Sequence, residues 1–343
     1  MEIDERKIRI LQAIINDYIK TGEPVGSRTI SRRYDIGLSS ATIRNEMADL
    51  EDMGYLEHIH TSSGRKPSDK GYRLYVDKLM QPGDISLEEE LLINGVLINA
   101  ALFEVDKVLR KATVLLSRLT NLACVVKTPS VKKSCLKTIQ LISIDNNNLL
   151  SVIVTDSGII KNNIIRINNS ISSDKLLKIN NILNIRLKSL TIEDINLEVI
   201  NNLKKDLIGY DDIFNAIIPV LYECLNEEDS SNVFMEGETN IFQYPEYKDM
   251  ERAREFLSFI NDKEFLKKLL PDMEGTVVSI GEENYIPEAK DYSVISKTYF
   301  IGDKSSGSIG IIGPTRMDYS KVITILNRVI DTVNKNLNTY DDW

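Results

Sequence analysis

The side chains that could do chemistry in this chain are mostly cationic, and they gather in its first 73 residues. There are five basic and two acidic residues between positions 20 and 44, and four basic residues and one acidic residue between 58 and 73. The net charge of the chain is −9, yet its first 78 residues hold 13 basic and 13 acidic side chains. Two basic patches on an acidic protein are typical of a one-sided nucleic-acid binder, and equally of two solvated surfaces.

The sequence offers little for catalysis or metal binding. It contains two histidines, His58 and His60, and three scattered cysteines, Cys124, Cys135 and Cys224. A Ser-His-Asp triad would have to draw on one of these two neighbouring histidines, and no cysteine is near enough in sequence to complete a zinc site with them. The glycines between 302 and 313 lack the Gly-Lys-Ser/Thr ending of a phosphate-binding loop. We expect no enzyme activity, no cofactor and no metal.

The composition also indicates where the protein works. Three cysteines are too few for a disulfide framework and read as reduced thiols. The most apolar stretch, 91–105, is interrupted by Asn94, Gly95 and Asn99 and is shorter than the roughly 20 residues of a membrane span. The first residues are acidic, with no apolar run behind them. We expect a cytoplasmic protein with no signal peptide and no membrane partner.

Three short helices are predicted to carry the basic residues. Apolar positions recur at helical spacing over 4–20, and Thr21-Gly22-Glu23-Pro24 ends that helix. A second helix is predicted from Ser27, as its N-cap, to about Tyr34. A third should start after Ser39 and reach about Met53, with Ile43, Met47 and Leu50 turned inward.

The outer face of the third helix is small and polar near its N-terminal end. If Ile43, Met47 and Leu50 point inward, then Ala41, Asn45 and Ala48 point outward, flanked by Thr42 and Arg44. Arginine can pair with guanine, asparagine with adenine, and an alanine methyl can pack on thymine. The stripe therefore fits a recognition helix entering a DNA major groove.

A strand and a basic loop follow the helices. Residues 55–60 alternate as a strand, and 61–67 form a small, flexible loop that carries Arg65 and Lys66. Helix, turn, helix, strand and basic loop is the order of a winged helix, whose wing would contact the DNA backbone or minor groove. His58 and His60 share one strand face, where they fit polar wing residues better than a metal site. Helical periodicity alone also fits a plain bundle, so the residues leave both readings open.

Several motifs make the chain resemble the HrcA family, the bacterial heat-inducible transcription repressors. They are Pro24-Val25-Gly26-Ser27-Arg28-Thr29, Ser40-Ala41-Thr42-Ile43-Arg44-Asn45-Glu46-Met47, Gly64-Arg65-Lys66-Pro67-Ser68-Asp69-Lys70-Gly71-Tyr72-Arg73, Gly281-Glu282-Glu283-Asn284 and Gly313-Pro314-Thr315-Arg316-Met317-Asp318-Tyr319. The likeness extends over the whole chain, and generic winged helices lack the last two motifs. The expected DNA-binding residues are Ser27, Arg28, Ser40, Ala41, Thr42, Arg44, Asn45, His60, Thr61, Ser62, Gly64, Arg65 and Lys66.

The rest of the chain reads as α+β and multidomain. Strands are predicted from 122 to 167 and again from 275 to 312, with a mostly helical block between them. The resemblance implies a GAF-like α/β domain interrupted by an inserted, mostly helical dimerisation domain. We expect a winged helix-turn-helix domain at 1–80, the GAF-like domain at 81–167 and 272–343, and the inserted domain at 168–271.

The resemblance also implies how the protein works. A homodimer would bind double-stranded DNA at the CIRCE inverted repeat upstream of chaperone operons, and the GroE chaperonin would keep it active. No small-molecule ligand is expected. The alternatives are a winged-helix regulator that senses a ligand through its GAF-like domain, an enzyme with a DNA-binding appendage, and a winged helix that contacts only protein.

Overall fold

The computed structural model describes residues 3–58, 64–97, 105–129, 134–191, 193–226, 233–271, 273–302 and 304–338. Its amino-terminal part contains α1 (Glu5–Thr21), α2 (Ser27–Arg33), α3 (Ser40–Asp52), β1 (Leu56–His58), β2 (Arg65–Pro67) and α4 (Asp69–Leu74), which a π-helical turn at Tyr75–Leu79 extends. Strands β1 and β2 pair antiparallel. Helices α1–α3 and strand β1 follow the order predicted from the sequence, whereas β2 and α4 were not predicted.

A second domain, which we call the body, is built on a five-stranded antiparallel sheet. Its strands lie in the order β7-β3-β10-β9-β8. Its strands are β3 (Ala123–Lys127), β7 (Val233–Glu236), β8 (Thr276–Ile280), β9 (Tyr292–Ile301) and β10 (Lys304–Pro314). Because side chains alternate along a strand, Cys124 and Val126 face one core while Ala123 and Val125 face another. Helices α5 (Leu87–Leu97), α6 (Val105–Thr120) and α12 (Tyr319–Asn338) cover the first face, and α10 (Met250–Asn261) and α11 (Lys263–Leu269) cover the second.

A second α/β unit lies between β3 and β7 in the chain. It holds β4 (Leu136–Ser143), β5 (Asn148–Thr155), β6 (Ile160–Arg166), α7 (Ser173–Leu187), α8 (Leu197–Asp206) and α9 (Asp211–Asn226). The three strands form their own antiparallel sheet, in the order β4-β5-β6. This sheet and the three helices share a hydrophobic cluster that is separate from both cores of the body.

The predicted grouping of these strands was wrong. Strands β4–β6 were expected within the first part of the GAF-like domain, 81–167, but they belong to the inserted unit. Conversely, β7, α10 and α11 were expected within the insertion, 168–271, but they complete the body. The tight turns after Ser143 and Thr155 pair β4–β6 with one another, so none of them pairs with β3.

The connection between the amino-terminal elements, which end with α4 and its π-helical turn, and α5 is held against the body. The Gly83 amide donates a hydrogen bond to the Thr324 hydroxyl on α12, at 3.0 Å. Lys321 and Arg328 of α12 form ion pairs with Glu89 and Glu90 of α5. In the described part of the chain, no helix is long and apolar enough to cross a membrane.

Candidate nucleic-acid interface

Helix α3 is held in place by its cap and by its inner face. The Ser39 hydroxyl accepts a hydrogen bond from the Thr42 amide at 3.1 Å, which confirms the predicted N-cap. Ile43, Met47 and Leu50 are buried, as predicted from their spacing. They pack with Ile10 and Ile14 of α1 in one core, so the orientation of α3 about its axis is fixed.

The stripe predicted to face outward does so at its N-terminal end, whereas Ala48 is half-buried. Ala41, Arg44 and Asn45 are exposed, and Ser40 and Thr42 beside them are half-buried. Among the described residues, no acidic side chain pairs with Arg44. Its guanidinium is therefore available for a ligand without first giving up an ion pair, which makes this face of α3 the strongest candidate for contact with bases.

Helix α2 carries a second exposed cationic surface. Arg28 and Arg32 are four residues apart, share one side of the helix and are exposed, while Ser27 is half-buried. Arg33 instead pairs with the buried Asp17 of α1, at 2.6 Å. The N-cap of α2 is Gly26 and not Ser27, which is its first residue. Arg32 was not among the expected contact residues, although its spacing from Arg28 could have indicated it.

The wing lies close to the turn between α1 and α2. Val25 and Arg65 exchange two backbone hydrogen bonds, of 2.8 and 2.9 Å. A side chain at Gly64 would collide with the Val25 carbonyl group, so only glycine allows this approach. The expected contact residues His60, Thr61 and Ser62 lie outside the described residues.

The two basic residues of the wing already have partners. The Arg65 guanidinium donates to Glu51 at the end of α3, at 2.6 Å, and its side chain is only 20% exposed. Lys66 pairs with Glu57 across the wing at 3.0 Å. Arg65 therefore holds the wing against α3, while Lys66 is near the surface and can exchange its partner for a phosphate.

The acidic residues of α3 are largely neutralised by neighbouring cations. Lys7 of α1 pairs with Glu46 at 2.7 Å and with Asp49 at 3.0 Å. These hydrogen bonds hold the pKa of Lys7 above its usual value. Pairing with Lys7 and Arg65 weakens the repulsion between these acids and DNA phosphates and joins α3 to its neighbours.

Three comparisons relate the chain to known proteins. The family model described as "HrcA protein C terminal domain" matches residues 106–323. A protein of Clostridium acetobutylicum called "Heat-inducible transcription repressor HrcA" is 58% identical over 337 residues, covering 98% of each chain. Proteins with the same description are 57% identical over 339 residues in Clostridium botulinum, covering 98% of this chain and 99% of that one, and 45% identical over 331 residues in Acetivibrio thermocellus, covering 95% and 94%.

Among solved structures, a crystal structure resembles this chain over nearly its full length. It is a crystal structure described as that of a hypothetical protein at 2.2 Å resolution. It aligns with a TM-score of 0.68 at 25% identity, covering 98% of this chain and 99% of the other. The curated relatives extend across α1–α4, which the family model does not reach.

Proposed function

Because the chain belongs to the HrcA family of heat-inducible transcription repressors, we propose that it represses chaperone operons by binding their CIRCE inverted repeat as a homodimer. The observation that carries this proposal is the exposed stripe of Ala41, Arg44 and Asn45 on α3. Two such stripes related by a two-fold axis would read two half-sites of opposite direction.

The roles of the contact residues follow from their positions. Arg44 would pair with a guanine, Asn45 with an adenine, and the Ala41 methyl would pack on a thymine. Ser27, Ser40, Thr42, Arg28 and Arg32 would bind the phosphates that flank the groove, which positions α3 without reading sequence. The wing, with Gly64, Arg65 and Lys66 at its base, would lie along the backbone or the minor groove.

The inserted unit supplies a surface suited to dimerisation. Cross-strand partners share one face of a sheet, and the outer face of β4–β6 includes the row Ile142–Leu150–Ile164. Among the described residues, no helix of the unit covers this face, and Ile164 is 68% exposed. We infer that a second copy of the chain covers it, since contiguous apolar patches of this kind mark interaction sites.

The chaperonin would set the fraction of repressor able to bind DNA. By its family, the chain would need GroE to reach or keep its active state, and heat would divert GroE to unfolded proteins. If only a fraction f of the repressor is competent, the apparent affinity falls by the factor f. Chaperone operons would then be released in proportion to the load of unfolded protein.

Binding of the full-length protein to short duplexes tests the proposal. Fluorescence anisotropy at one fixed salt concentration would compare the inverted repeat, a single half-site and a shuffled sequence. We expect the inverted repeat to bind at least tenfold more tightly than the half-site. Equal binding of all three duplexes would contradict sequence-specific recognition, and would favour a winged helix that contacts only protein.

A groove in the body keeps a ligand-responsive regulator as the second candidate. It has a volume of about 690 Å³ and lies along α10, with Phe242, Tyr247, Met250 and Leu257 among its lining residues. Lys248 and Arg254 also line it, so an amphipathic carboxylate would suit it. Thermal-shift screening of such carboxylates distinguishes the two candidates. A carboxylate that stabilises the protein and changes its affinity for DNA would support ligand sensing. A screen that finds no such carboxylate would favour a repressor that does not respond to a ligand.

A further inference from the structure

Three of the sequence motifs meet in space at the joint between the winged helix and the body. Asp69, Tyr72 and Arg73 lie on α4, at the end of the winged helix. The motif at 281–284 follows β8, and the motif at 313–319 leads into α12. None of these residues is on the proposed DNA-binding face, so DNA contact gives no reason for their presence.

The first contact of the joint links α4 to the end of β8. The Arg73 guanidinium donates to both carboxylate oxygens of Glu283 and, at 2.5 Å, to the Val278 carbonyl oxygen. The Asp69 carboxylate accepts a hydrogen bond from the Glu282 amide at 3.0 Å. A side chain at Gly281 would overlap the Asp69 carboxylate, and the φ of +52° at this glycine permits the close approach.

The second contact links α1 to the segment before α12. Arg316 is only 8% exposed, and its guanidinium binds both carboxylate oxygens of Glu246. It also donates to the Ile19 carbonyl oxygen near the end of α1, at 3.1 Å. A forked arginine of this kind restrains orientation as well as distance, because two parallel hydrogen bonds define a plane.

Between the two contacts, the joint is packed. The rings of Tyr72 and Tyr319 lie 5.7 Å apart, and both side chains are fully buried. The Tyr319 hydroxyl donates to the Thr315 carbonyl oxygen at 2.6 Å and lies 2.7 Å from the Ser293 hydroxyl. One hydrophobic cluster runs from α1 and α3 through this joint to α12. The winged helix is therefore docked on the body at a defined angle.

We propose that Arg73 and Arg316 are positioning residues that set the separation of half-sites the repressor accepts. The inference rests on the proposed function, since it assumes that two copies bind one inverted repeat. The dimer is proposed to form through the inserted unit, so the joint is one of the connections that fix where each α3 lies relative to the two-fold axis. Adding one base pair moves a half-site about 3.4 Å along the duplex and turns it by roughly 35°, so a fixed joint tolerates one separation.

Binding to a series of inverted repeats tests the proposal. Full-length wild-type protein, Arg73→Ala and Arg316→Ala would be measured on repeats whose half-site separation is changed by one, two or three base pairs, and on a single half-site. We expect the wild type to lose at least tenfold in affinity when the separation changes by two base pairs. The affinity of the variants for the half-site should lie within about twofold of the wild-type affinity. Their affinities for repeats of different separation should differ from one another by less than threefold.

An exchange of charges distinguishes positioning from folding. Arg73→Glu combined with Glu283→Arg should recover at least part of the discrimination that Arg73→Glu alone loses, because the ion pair is restored in reverse. Glu283→Gln replaces Arg73→Ala if the latter does not fold. Folded variants with wild-type discrimination overturn the proposal. If the wild type binds the inverted repeat no more tightly than the half-site, the proposed function is overturned instead. If it binds repeats of every separation more tightly than the half-site, only the role of the joint is overturned.

Discussion

Arg44 and Arg65 are both arginines of the winged helix, and their surroundings give them different tasks. Arg44 is exposed, with no acidic partner among the described residues, whereas Arg65 is mostly buried against Glu51. Moving Arg65 onto a phosphate would leave Glu51 unpaired beside the DNA, which opposes binding. Sequence alone ranked both as contact residues, because it shows that a residue is basic but not whether its charge is already used.

Replacing Arg44 should reduce recognition at one base pair. Arg44→Ala is expected to cost about 1–3 kcal/mol on the operator and to relax the preference at the base that it reads. Arg252→Ala, an exposed arginine of α10, is the matched control and should leave affinity unchanged. Anisotropy titrations on the operator and on single-base variants would measure both effects. Undiminished operator affinity of Arg44→Ala would mean that α3 is oriented differently on DNA.

Substitutions of Lys66 and Glu57 should change the affinity for any DNA in opposite directions. Lys66→Ala is expected to weaken binding to all sequences about equally and to reduce the slope of log K against log salt by about one unit. Glu57→Gln should strengthen binding, because it frees Lys66 from its ion pair and removes a negative charge from the wing. Salt titrations with specific and shuffled duplexes check both results, and an unchanged slope in Lys66→Ala would exclude a phosphate contact.

The joint should also weaken in acid. Burial raises the pKa of Glu283, but hydrogen bonds from Arg73 and the Ile280 amide outweigh it and hold that pKa below its usual value. A lowered folded-state pKa stabilises the protein above the ordinary glutamate pKa, and the contribution is lost as pH falls through the lowered value. Thermal denaturation against pH should therefore show a smaller acid loss for Glu283→Gln than for wild type. Glu288→Gln, another exposed acid, should retain the wild-type loss.

At the scale of elements, the outer face of β4–β6 should control assembly. Ile164→Glu places a charge on this face and is expected to convert a dimer to a monomer, since burying an unpaired carboxylate at an interface costs several kcal/mol. Ile208→Glu is the matched control, because Ile208 is 77% exposed and lies outside the three strands. Sedimentation velocity would give both masses. A dimeric Ile164→Glu protein would place the interface elsewhere.

Periodicity predicted most elements but not their partners. The Val- and Ile-rich segments over 136–166 correctly indicated strands, and the helical spacing of Ile43, Met47 and Leu50 correctly gave the inner face of α3. Which sheet a strand joins depends on long-range pairing that leaves no mark on its own residues. The four residues of β7 were missed for a related reason, because they are too few to show a period.

At the scale of the whole molecule, activity should depend on the chaperonin after heat. Full-length protein that has been heated and cooled is expected to recover operator affinity only with GroE and ATP. A fall of the competent fraction to about one tenth weakens the apparent affinity about tenfold. Titrations before and after heating, with and without chaperonin, measure this fraction. Full recovery of affinity without chaperonin would contradict the proposed regulation.

The joint has a consequence for how each new copy matures. The groups that hold α1 and α4 lie at Glu283, Arg316 and Tyr319, at least 210 residues later in the chain. During synthesis the amino-terminal domain therefore emerges with its apolar surface exposed. It can dock only after α12, nearly the last helix, has been made. Contacts so distant in sequence form slowly. Every molecule therefore passes through a period in which apolar surface is exposed and it cannot yet repress transcription.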